Sequence, residues 1–184
     1  MKKNFSTIAL LIAALLLSSC LYDNAPSRPA GQINTALVGV WTAQDKNGKV
    51  FEATVTPESN LLYHVSCCDK DKNEKDPWQF EGWISRIDNL KILTLCSLSE
   101  DSRYHGKYIF FHYEVVAPGK NPIDNVAPRR MRITQLLLDE SARHLDPKLL
   151  RQAIRERLKQ ETLLPSEGSV VWTKVGSVAW KGEN

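Results

Sequence analysis

From Leu37 to Leu138 apolar and polar side chains alternate in short runs, and this period of two limits the chain to sheet-built folds. In Val50 to Thr56, Phe51, Ala53 and Val55 share one face, while Glu52, Thr54 and Thr56 share the other. That is the pattern of a half-buried strand. Leu37–Trp41 opens the series, and Leu61, Tyr63, Val65 and Cys67 stay in one phase along a third run. Phe80–Ile87, Lys91–Leu98, Tyr108–Val116 and Arg130–Leu138 read the same way. Asn47-Gly48 and Asp88-Asn89 are turn pairs of the kind that tolerate positive φ and close hairpins.

After Leu138 the period changes. Asp146-Pro147 has the form of a helix start, a capping carboxylate followed by a residue that needs no amide partner. Leu149, Leu150, Ala153, Ile154 and Leu158 then recur at steps of three and four, so one stripe of the helix is apolar. Lys148, Arg151, Arg155, Arg157 and Lys159 outnumber Glu156 and Glu161 around it. A basic amphipathic helix can lie on a membrane, but a sheet needs a cover, and a docked stripe with a solvated basic face is the simpler reading. Val170–Thr173 and Val178–Trp180 form two last short strands split by Gly176. The expected fold class is mainly β: an antiparallel meander curled into a small barrel-like sheet, with one C-terminal helix packed on it. Closure would remove sheet edges that otherwise invite aggregation. Both faces of Tyr108–Val116 are apolar, with Tyr108 and Phe110 on one and Phe111 and Tyr113 on the other. One face should line the interior. The other requires the helix, a partner or a ligand.

Gly39-Val40-Trp41 on the first strand resembles the glycine-x-tryptophan motif of lipocalins and the wider calycins. The strand meander with a helix before the last strands is similar to that superfamily over about residues 37–181. The resemblance implies a ligand-holding barrel in which Trp41 plugs the closed end beneath a basic residue, here Lys174 or Lys181 in place of the usual arginine. A small apolar ligand would then touch Trp41, Phe51, Tyr63, Val65, Leu93 and Phe111. The layout is equally similar to small uncharacterised lipoproteins built as glycine-x-tryptophan strand domains, which imply no activity.

The amino terminus carries an address. Lys2 and Lys3 precede an apolar run from Ile8 to Leu17, which Leu17-Ser18-Ser19-Cys20 closes. Charge, apolar core and small-residue cleavage site make a secretory signal. The run is too short to span a hydrocarbon core of about 30 Å as a helix. The segment resembles a bacterial lipoprotein signal with its lipobox. The resemblance implies cleavage before Cys20, a diacylglycerol on its thiol and an acyl chain, palmitate-like, on its new amino group. More than one chain gives stable anchoring. Leu21, rather than aspartate, follows Cys20, which in enteric-type lipoproteins implies the outer membrane, facing the periplasm. The expected organisation is a signal peptide at 1–19, a flexible lipidated tether at 20–36 and one β-rich domain at 37–184. Asn24, Pro26, Ser27, Pro29, Gly31, Gln32 and Asn34 give the tether its loop-like composition.

The chain's formal charge of +3 falls close to neutral once Lys2 and Lys3 leave with the signal, so nothing points to nucleic acid, which asks for a clustered basic face. Export to an oxidising compartment raises the prospect of a disulfide. Alternation sets Cys68 and Cys96 outward and favours that pair, with Cys67–Cys96 the other pairing. A strand between them would hold the Cα atoms about 9.5 Å apart, beyond the roughly 7 Å limit, although all three cysteines lie at one end of their strands. Reduced thiols and a Cys67–Cys68 bridge stay open. His64, Cys67 and Cys68 match no zinc module, and His64 and Cys67 point to opposite faces of a strand. Neither a metal nor a cofactor is expected. His105, His112 and His144 are scattered, Glu81, Asp88, Glu114 and Asp124 are ordinary surface carboxylates, and no nucleophile motif accompanies them. The chain reads as a non-enzyme that binds either a small apolar ligand or an envelope protein, as an assembly factor, secretion pilot or periplasmic inhibitor. Replacing the anchoring thiol, Cys20→Ser, is expected to move the protein from the membrane to the soluble fraction. Mass spectrometry of the native protein should show an acylated Cys20 at its amino terminus.

Overall fold

The computed structural model describes residues 21–29, 32–45, 47–71, 77–101, 103–116, 129–136, 138–160, 163–164 and 169–178. Cys20, Gly31, Asp124, Glu161 and Lys181 lie outside them. Eight strands run β1 Gly39–Gln44, β2 Val50–Pro57, β3 Tyr63–Asp69, β4 Trp78–Ile87, β5 Leu90–Ser97, β6 Tyr108–Val116, β7 Arg130–Gln135 and β8 Ser169–Gly176. Each pairs antiparallel with the next, and β8 returns to β1, so the meander is a closed barrel. The expected run Val170–Thr173 belongs to β8, an unbroken element that ends at Gly176; Ala179 and Trp180, of the second expected short strand, lie outside the described residues.

Closure demands a close approach at the seam. Gly39 has φ 142°, and a Cβ there would stand 2.6 Å from the Gly176 carbonyl oxygen and 2.5 Å from Lys174 Cε. A real Cβ never sits that close to backbone, so the glycine before Val40-Trp41 is a packing requirement. Asp88 supplies the positive φ (52°) of the tight β4–β5 turn.

The closed sheet builds two cores. Inside lie Trp41, Phe51, Tyr63, Val65, Phe80, Leu93, Ile109, Met131 and Trp172. On the outer wall, Ile87, Leu90, Ile92, Phe110 and Leu136 meet Leu150 and Ile154 of helix α1, Pro147–Lys159. The Asp146 carboxylate caps α1 by accepting from the amides of Lys148 and Leu149, at 2.8 and 2.9 Å. Leu150 and Ile154 are fully buried; each is worth about 1.5–3 kcal/mol by transfer. The apolar outer face of β6 is therefore covered by the helix side of the molecule, and the helix lies on the barrel's flank.

The expected tether is a correction. Residues 21–29 are docked, because β7 stops at Gln135 opposite Phe111 and leaves the start of β6 with an open edge. Tyr22 fills that edge: its amide and carbonyl exchange two 3.0 Å bonds with Tyr108. Its ring stacks on Phe110 with centroids 4.7 Å apart and is 1% exposed. Leu21 packs against the interior core on the opposite side. Asp23 takes Lys107 and His144 as ionic partners, Asn24 Nδ2 donates to the Leu145 carbonyl and Trp83 Nε1 to that of Ser27. Proline- and asparagine-rich composition suggested a loop without buried area, but one aromatic and an unpaired strand edge outweigh it.

The hydrogen bonds from Lys107 and His144 hold the Asp23 carboxyl below its usual pKa. A carboxylate depressed on folding stabilises above its unfolded pKa, near 3.8, and loses that contribution as pH falls through the lower folded value. Protection of the Tyr22 and Tyr108 amides against exchange, taken relative to the intrinsic rate at each pH, should therefore fall on acidification below about pH 4. In Asp23→Asn the same protection should already be lower at neutral pH and should lack that acid step.

Candidate functional site

The barrel is not filled. A cavity of about 140 Å³ runs through its interior, walled by Trp41, Ala53, Tyr63, Val65, Phe80, Leu93, Ile109, Phe111, Met131 and Trp172 among others. One end is shut by the segment before β1. Trp41 Nε1 donates to the Leu37 carbonyl at 2.7 Å. The Tyr63 hydroxyl accepts from the Asn34 amide at 2.6 Å, and burial pushes its pKa up to about 12, so it stays a neutral phenol. Lys174 Nζ lies 5.7 Å over the Trp41 ring and donates to the Val38 carbonyl. Burial lowers the Lys174 pKa, helped by the charge of Arg129. Of the two lysines that the resemblance points to, Lys174 thus sits on Trp41. At the opposite end the lining reaches Trp78, the first residue of β4, Val170, the second of β8, and Gln135, the last of β7.

Five of the six residues expected on the wall, Trp41, Tyr63, Val65, Leu93 and Phe111, do line the cavity. Phe51 does not. It is buried at the barrel end between Ala43 and Asp69, under Lys49 at 5.1 Å, and belongs to the core rather than the wall. No charged side chain is among the described lining residues. Gln135 is their one carboxamide. It is 6% exposed, and its Nε2 has no hydrogen-bond partner. An unpaired buried donor costs about 1–3 kcal/mol, so this group is the polar oddity of an apolar chamber. Sequence reasoning passed over it, although Met131, Ile133 and Gln135 alternate in one phase and would have placed it inward.

The expected disulfides are absent: Cys67, Cys68 and Cys96 carry thiols. Register explains why. Cys96 stands opposite Glu81, and Glu81 opposite His64, two strands away. Cys68 is four residues further along β3, an offset of about 13 Å at roughly 3.3 Å per residue, and Cys67 about 10 Å. A closed barrel must stagger its strands, so ends that look level in sequence are not level in space. Cys67 also faces the cavity, whereas Cys96 is on the outer face, where burial and then the Glu81 charge raise its pKa. The thiol is not an activated nucleophile.

The other chemistry-bearing groups stay apart. His64 Nε2 is 2.6 Å from Gln79 Oε1 on the outer wall, away from Cys67. Asp88 pairs with Arg155 at 3.1 Å and Glu114 with Arg132 at 3.5 Å. Among the described residues no three histidine, cysteine or acidic side chains gather as a metal site would require. No protein-family model, curated protein or solved structure matches the chain. Alkylation of the unfolded, unreduced protein is expected to label Cys67, Cys68 and Cys96 alike; peptide mapping that found Cys96 joined to either of the others would contradict this register.

Proposed function

We propose that this chain is a lipid-anchored protein of the bacterial envelope that holds a small apolar ligand in its barrel and performs no chemistry on it. One observation carries the reading: an apolar chamber of about 140 Å³ left unfilled inside a closed sheet. Unfilled volume costs stability, since its lining loses packing partners. A cavity of about 150 Å³ lined by aliphatic and aromatic groups is known to stay dry and take up benzene. Drug-sized ligands ask for about 300 Å³ or more, so the occupant here is slender: a single ring or a short aliphatic chain. The closed end at Trp41 and the lining that reaches Trp78, Val170 and Gln135 support entry from the latter side. The glycine-x-tryptophan strand and the cation over Trp41 support a lipocalin-like origin. The signal and Cys20 support anchoring to the outer membrane on its periplasmic side.

A protein-binding envelope factor is the rival. It would use the outer wall, where Val171 and Val175 of β8 are exposed, and it has no use for an interior void. Saturating toluene or octane should raise the melting temperature of the purified protein, because a ligand that binds only the folded state stabilises it. Ala53→Phe, which puts a ring into the chamber, should abolish that shift without unfolding the barrel. A wild-type protein indifferent to both compounds would remove the ligand reading.

A further inference from the structure

We infer that the chamber selects a neutral acyl group, whose carbonyl oxygen accepts a hydrogen bond from Gln135 Nε2 while its chain runs toward Trp41. The inference rests on the cavity being a ligand site. Its own support is the pairing of two facts. Gln135 is buried in the lining, and its Nε2 meets no acceptor. The described lining holds no cation to receive an anion.

Three ligand chemistries separate on these facts. A pure hydrocarbon fills the apolar wall but leaves the amide unpaired. An ionised carboxylate offers an acceptor, yet it would give up its hydration with no counter-charge nearby, which is costly. A neutral ester or amide carbonyl supplies the acceptor without the charge. Gln135 ends β7 opposite Phe111, whereas Trp41 and Leu37 mark the shut end. The carbonyl therefore sits at the Gln135 side and the alkyl chain lies deeper, against Trp41, Val65 and Met131. A chamber of about 140 Å³ holds only a short acyl chain, so the occupant is a short-chain ester or amide rather than the long chain of a bilayer lipid or of an acylated Cys20.

The test is a titration of the purified protein with methyl hexanoate, hexanoate and octane, followed by intrinsic tryptophan fluorescence, since Trp41, Trp78 and Trp172 line the site. The ester should bind and the carboxylate should not at neutral pH. Gln135→Leu should weaken the ester about tenfold, the effect of losing one buried hydrogen bond. Octane should bind that variant at least as well as the wild type. Equal weakening of ester and octane would mark a merely structural role and overturn the inference, as would an ester affinity indifferent to position 135. Gln135→Met provides the same comparison should the leucine variant fold poorly. Octane uptake by neither the wild type nor Gln135→Leu fails the cavity reading itself, a result distinct from a failed preference.

Discussion

The pairing of β8 with β1 is the contact on which the rest depends. Until that seam closes, the meander is an open sheet with two bare edges and no inside. Once closed, each strand has one face committed to a shared interior, and the geometry of the seam fixes the stagger of every other strand. Gly39 is the price of that contact, because only a residue without a Cβ lets the first and last strands approach at Gly176. Lys174 then crosses the seam to lie on Trp41, so the residues that shut one barrel end are the residues that join its two chain-distant strands.

Closure also explains why the interior is apolar yet incompletely packed. Eight strands leave an interior that side chains can just fill. Here Ala53 and Cys67, both small, face the same space as Val65 and Leu93, and a void remains. Of the large aromatics, Trp41 and Tyr63 stand at one end and Trp78 at the other, while Phe80, Phe111 and Trp172 are in the wall. Gln135 breaks the apolar lining where a strand ends.

Much of the architecture was legible because local rules govern it. Val50–Thr56 alternates and is a strand; Asp88-Asn89 turns; Asp146-Pro147 starts a helix at that residue. Inward phase could be read strand by strand, which is why Trp41, Tyr63, Val65, Leu93 and Phe111 were found together. Stagger could not, since it arises only from closure, and the cysteine pairing failed for that reason. Phe51 has the right phase but lies at the barrel end, a matter of height along the axis that alternation does not encode. The stretch after Cys20 was misread because composition reports what most of its residues do alone. Tyr22 is buried only because β7 ends early and leaves β6 a place for it.

That early ending has a mechanical meaning. With Tyr22 woven into the wall beside Tyr108, the chain has no slack between the barrel and whatever precedes Leu21. A load pulled from that side is borne by the sheet itself rather than by a swivel. Residues 21–29 and the barrel therefore tilt and travel as one solid piece.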